Sequence, residues 1–183
     1  MKAIYTWRDP YDVVASCLRM FGSPVEDCLQ ALRSALQVWA FHIETNSAWI
    51  VPYESIISQP AEVIANLACY LGLAMRAEHV NQIAAEMSFE NVRDFSRRVN
   101  QLGSRRVIRR DGHVFDRQTL LHQGHITNGR SGYGAKRLGV AELAAIDAIL
   151  VEEGFGFLRK SARKTVSAGA ARLASPLTFG LVR

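Results

Sequence analysis

The stretch IYTWRDPYDVVASCLRMF, residues 4–21, changes its periodicity halfway along. Lys2 to Trp7 is a short β-type run. Asp9 is suited to cap a helix, and Pro10 to occupy its first position, where a missing N–H costs nothing. The pattern predicts a helix to about Phe21, stopped by Gly22. The joint carries Arg8. A helix start offers unpaired amides and the positive end of a dipole, which favour a phosphate. Arg8 could close on that anion with a two-pronged contact, and Ser16, two turns on, could reach it from the side. The bland alternative pairs Arg8 with Asp9 or Asp12 at an ordinary helix start. Taken alone, the segment favours that alternative, because a tripeptide is weak evidence.

Working outward, Ser23-Pro24-Val25-Glu26 has the form of a capping box and predicts a long helix with an apolar stripe at Leu29, Leu32, Leu36, Trp39 and Ile43. AWIVPYESI, residues 48–56, reads as a second buried strand leaving at Pro52-Tyr53. PAEVIANLACYLGL, residues 60–73, predicts a helix ended by Gly72. A further helix is expected over about 77–95, and the arginine-rich stretch 97–118 is expected to be a loop or lid. GVAELAAIDAILVEEGFGF, residues 139–157, predicts a last helix stopped at Gly154. Few strands, many helices and polar strand-to-helix joints define an α/β domain with a small parallel sheet flanked by helices.

Two further joints carry chemistry. Tyr53 leaves the second strand where open α/β sheets bind ligands, so it could stack on a base or bond to a ribose or ring nitrogen. A half-buried aromatic with a wet hydroxyl is the ordinary alternative. HITNGRSGYGAKRLGVAEL, residues 125–143, combines Gly129, Gly132 and Gly134 with Arg130, Lys136 and Arg137. Such a backbone can approach a ligand closely while the side chains supply positive charge. It is neither a Walker loop nor a dinucleotide fingerprint, and alone it reads as a glycine-rich surface loop. His122 and His125 have a spacing that suits a metal on a helix, but no cysteine or carboxylate nearby completes a set, so no metal is expected.

The composition, 49% hydrophobic and 21% charged over 183 residues, fits one globular domain with a sizeable core. The net charge of +5 is concentrated late in the chain. After Glu153 there are six basic residues and no acidic one; without them, 16 basic residues face 17 acidic ones. Residues 161–183 are therefore expected to be a basic, disordered tail, and the charge does not by itself support nucleic-acid binding. The arginines of 93–117 could serve a nucleic acid or membrane surface, but no interleaved aromatics or docking motif accompany them. Cys17, Cys28 and Cys69 read as small buried residues of a reducing compartment rather than a disulfide or zinc framework. No run is long enough to span a bilayer and no secretory leader pattern opens the chain, so a cytoplasmic location is expected.

Taken together and in order, YTWRDPYDVVASCLRMF, VPYESIISQPAEVIANLACYLGL, SFENV (Ser88–Val92) and HITNGRSGYGAKRLGVAEL resemble the nucleotide-dependent sulfotransferases over about residues 2–158. The resemblance implies a P-loop-NTPase-like domain over 1–160 and 3′-phosphoadenosine 5′-phosphosulfate as sulfuryl donor, without a metal. Arg8 and Ser16 fall on the family's 3′-phosphate ligands and Tyr53 on the tyrosine near adenine. Asn128, Gly129 and Arg130 fall in the loop over the phosphate. It also implies a hydroxyl or amine acceptor on a small molecule, glycan or lipid. Two departures lie in the late loop: Thr127-Asn128 replaces a basic pair, and Gly134 stands where a tryptophan is usual. The family's phosphosulfate-binding loop, and commonly its general base, precede the Arg-Asp-Pro segment. Met1 stands where the middle of the domain would be, which implies a truncated site with no identified catalytic residue. An inactive truncated homologue is therefore the alternative expectation. An unpaired central strand would leave an apolar edge, for which oligomers are expected.

Overall fold

The computed structural model describes residues 2–103, 105–110, 112–123 and 131–159. The expected tail at 161–183 lies outside them, as do His125, Thr127, Asn128, Gly129 and Arg130. Strand β1 (Ala3–Trp7) pairs in parallel with β2 (Ala48–Pro52), Ala3 opposite Ala48 and Trp7 opposite Pro52. Between them run α1 (Pro10–Phe21) and α2 (Val25–Thr45). After β2 come α3 (Tyr53–Ser58), α4 (Pro60–Leu71), α5 (Ala77–Glu86) and α6 (Phe89–Arg98). An antiparallel hairpin, β3 (Val107–Arg110) with β4 (His113–Asp116), precedes the closing helix α7 (Val140–Glu152). The expected α/β domain with a small parallel sheet flanked by helices is what the chain forms.

The sheet separates two environments, because successive side chains of a strand point to opposite faces. Tyr5, Trp7 and Ile50 pack on a core made by α1, α2, α7 and the turn after it. Leu32, Leu36 and Trp39 are buried there with Tyr11, Val14, Ile146, Leu150 and Phe155. Trp39 stacks between Trp7 and Phe155, with ring centroids 5.1 and 4.7 Å away. Of the apolar stripe expected on α2, Leu29 is only partly buried, Ile43 is 52% exposed, and Cys28 completes the buried row instead. Cys28 lies one turn before Leu32 on the buried face, and Ile43 shares that face but falls in the last turn of α2.

Four expectations are corrected. The capping box does not form: α2 starts at Val25 behind an extended Pro24, with no side-chain cap. The helix expected over 77–95 is two helices, because Ser88 interrupts it and its hydroxyl accepts the amide of Asn91 at 3.4 Å. The stretch expected to be a loop or lid holds the β3–β4 hairpin, whose turn includes Gly112 at φ 76°. A positive φ at a hairpin turn is what glycine provides without strain. Of the three cysteines, Cys28 is buried, Cys17 is half-buried and Cys69 is exposed. Among the described residues, no helix is long and apolar enough to cross a membrane.

Candidate nucleotide site

On the sheet face opposite the core lies a cavity of about 780 Å³. Ile4, Thr6, Trp49 and Val51 form its floor, and α3 to α6 supply apolar walls such as Ile56, Ile64, Ile83 and Phe89. Its polar residues include Asp12, Ser16 and Arg19 on α1, Arg8 on the joint before it, and Tyr53 and Arg137 from two other segments. A mostly apolar cleft of this size with a few polar groups fits a nucleotide-sized ligand.

Asp9 caps α1, its carboxylate accepting the amides of Tyr11 at 3.0 Å and Asp12 at 3.4 Å. The amide of Val13 in turn donates to the Asp9 carbonyl. Pro10 has no N–H. The amides expected to await a phosphate at this helix start are thus already occupied, and a phosphate here depends on side chains and on the helix dipole. The strand-to-helix joint places Arg8 in the cavity wall. Its guanidinium carbon sits 4.5 Å from the centre of the Tyr53 ring, a stacking that preorganises both side chains. The ion pair expected of an ordinary helix start is long, with 3.9 Å between Arg8 Nε and Asp12 Oδ2.

Asp12 has other partners. Its Oδ2 accepts the amide of Gly132 at 2.7 Å, and its Oδ1 accepts the amide of Gly134. Glu54, the residue after Tyr53, accepts the Ser131 hydroxyl. The late glycine-rich segment is therefore held by one carboxylate from each of the other two joints. Gly132 adopts φ 76°, and a Cβ on Gly134 would lie 2.3 Å from the Tyr11 carbonyl oxygen. Only glycine fits at the second position, so the residue that departs from the usual tryptophan is the one allowing the loop to lie against α1. The loop then presents Tyr133 and Arg137 to the cavity, with the Arg137 guanidinium 4.8 Å from the Tyr133 ring centre.

Of the residues singled out from the sequence, Arg8, Ser16 and Tyr53 are brought to one cavity, while Asn128, Gly129 and Arg130 lie outside the described residues. Sequence reasoning missed Arg19 and Glu54, saw Asp12 only as a salt-bridge partner, and offered Arg137 as one of three cations in the late loop, of which Arg137 lines the cavity. For Arg19 a signal existed: positions 8, 12, 16 and 19 form one stripe at helical spacing. Of the two histidines at metal-like spacing, His125 lies outside the described residues. His122 Nε2 faces His113 Nδ1 at 2.7 Å in the hairpin region, and among the described residues no cluster of three or more metal ligands exists.

The same strand-joint-helix arrangement defines a class. The model of the sulfotransferase domain matches residues 1–127, and the chain belongs to that family. No curated protein matches it. Among solved structures, retinol dehydratase in complex with androsterone and the inactive cofactor PAP aligns with a TM-score of 0.55 at 18% identity. That alignment covers 83% of this chain and 47% of the other. Retinol dehydratase in a complex with retinol and PAP gives the same TM-score at 16% identity and the same coverage. The mouse sulfotransferase SULT7A1 complexed with PAP aligns with a TM-score of 0.60 at 12% identity, over 93% of this chain and 63% of that one. At these identities the likeness establishes the fold, that of the P-loop-like sulfotransferases. The chain spans less than two thirds of the length of each of these proteins.

Proposed function

We propose that the cavity binds the nucleotide 3′-phosphoadenosine 5′-phosphosulfate and that the protein works as a sulfotransferase. The observation that carries this reading is the Arg8 guanidinium stacked over Tyr53 at 4.5 Å, in the same cavity wall as Ser16. Arg8 and Ser16 hold the 3′-phosphate, Tyr53 lies against the adenine, and the segment carrying Asn128, Gly129 and Arg130 closes over the phosphate. The cavity's chemistry fits that group, with cations and a hydroxyl for phosphate beside an apolar, aromatic wall for a base. When bound, the nucleotide supplies the sulfuryl group, and a hydroxyl or amine acceptor receives it. The named side chains bind and orient it, so their contribution is positioning rather than the chemical step.

The fold's solved relatives contain PAP, and two of them contain androsterone or retinol, which supports a small-molecule acceptor here. Glycan and lipid hydroxyls belong to the same reactive class. A cytoplasmic site of action accords with the cysteine usage. Calorimetry with adenosine 3′,5′-bisphosphate on wild type and Arg8→Ala tests the reading. Loss of one charge-assisted phosphate contact weakens binding by about 10–100-fold. Equal affinity in the two proteins would remove Arg8 from the site.

A further inference from the structure

The two helices that follow β1 each bring one cysteine to their common interface. Cys17 is on the third turn of α1 and Cys28 on the first turn of α2, with Gly22 at φ 58° reversing the chain between them. Their sulfurs lie 2.8 Å apart. Two thiols in ordinary van der Waals contact stand roughly 3.6 Å or more apart, and a disulfide needs about 2.05 Å. The two free thiols are thus inside ordinary packing distance and outside bonding distance, and they belong to two elements already held by the core around Val14, Leu32 and Leu36.

The two members differ in access. Cys28 is 1% exposed, whereas Cys17 is only partly covered. Burial, followed by the neighbouring Cys17, pushes the Cys28 thiol up to about 12, so the buried sulfur does not start an exchange reaction. Cys17 is the sulfur an incoming oxidant meets. Cys69, exposed on α4, supplies a solitary thiol for comparison.

We infer that Cys17 and Cys28 form a redox-modification site, a dithiol that closes to an intramolecular disulfide when it meets a small disulfide oxidant of the glutathione type. The Cys17 thiolate attacks one sulfur of the oxidant and releases the first thiolate, leaving a mixed disulfide. The Cys28 sulfur, losing its proton as it attacks, displaces the second thiolate from Cys17. Two protein thiols are oxidised, one disulfide oxidant is reduced to two thiols, and the two protons leave with them. Contact between the sulfurs makes the second step intramolecular and short-ranged, so the mixed disulfide at Cys17 does not accumulate. The cross-link joins α1, which presents Ser16 to the cavity and follows the joint carrying Arg8, to α2, which carries part of the core.

The experiment incubates the purified full chain with oxidised glutathione and maps peptides by mass spectrometry without reduction. Expected are a Cys17–Cys28 cross-linked peptide lacking two hydrogens, and glutathione carried by Cys69. Oxidation raises the melting temperature by about 5 °C, reversed by reductant, as a short closed loop stabilises by constraining the unfolded chain. Cys69→Ser keeps that rise; Cys17→Ala and Cys28→Ala abolish it. Persistent glutathione on Cys17, or intact thiols at 17 and 28 while Cys69 reacts, overturns the inference on the wild-type protein alone.

Discussion

Asp12 on α1 accepts the backbone amide of Gly134, a residue 122 positions further along the chain. With Gly132 donating to the other carboxylate oxygen, one buried side chain fixes the late loop to the helix that follows Arg8. Closing a loop of that length has an entropic cost that the two charge-assisted bonds help to offset.

Gly134→Ala is expected to destabilise the protein by about 2 kcal/mol or more, since the added methyl meets the Tyr11 backbone rather than a mobile side chain. Gly139→Ala is a control. Its Cβ would meet only the end of the Glu142 side chain, which can swing away. Urea unfolding of the two variants separates them, and equal midpoints would show that the loop is not seated on α1.

On the proposed reading Arg8 and Tyr53 hold the nucleotide through charge and stacking, which different substitutions remove separately. Arg8→Lys keeps the charge and loses the planar fork, so affinity for adenosine 3′,5′-bisphosphate should fall about 10-fold. Tyr53→Phe keeps the ring face and should stay within about 3-fold of wild type, while Tyr53→Ala should lose roughly 10-fold. Calorimetric titration reads all three. A larger loss for Tyr53→Phe than for Tyr53→Ala would refute stacking as the role of that ring.

Asp116 makes the hairpin region sensitive to acid. The Arg106 guanidinium, donating at 2.7 Å, and the Thr119 hydroxyl and amide hold its carboxyl at about 2, although burial opposes the shift. A carboxylate whose value is lowered on folding contributes stability that is full above its unfolded value, near 4, and fades as pH falls toward 2. Asp116→Asn should therefore lower the melting temperature at pH 7 and flatten its fall between about pH 4 and 2. A parallel acid profile in the variant would exclude Asp116 as the titrating group.

Leu150 is fully buried where α7 meets the core. Leu150→Ala should cost about 3 kcal/mol through lost transfer energy and an unfilled cavity, measured by chemical denaturation. A loss below about 1 kcal/mol would mean that α7 is not part of the cooperative core.

These outcomes also mark what could be read from residue order. The β1–α1 joint was legible because Asp9, Pro10 and Gly22 are local signals, and each acts within one turn of its own position. The same holds for β2 and for Gly72 ending α4. The clasps made by Asp12 and Glu54 were not legible, since their partners lie 122 and 77 residues away and no periodicity records such a pairing. Ser88 was passed over as a helix interior residue because the apolar pattern continues on both sides of it. The hairpin was hidden by arginines at 109 and 110, although Asp111-Gly112 is a turn signal between alternating residues.

The two-faced sheet also sorts the three tryptophans of the chain. Trp7 and Trp39 are stacked within the core, whereas Trp49 lies on the cavity floor. A ligand entering the cavity changes the surroundings of one indole and leaves the other two in place. With Trp7 and Trp39 each replaced by phenylalanine, the remaining indole fluorescence would come from the cavity floor alone and report its occupancy.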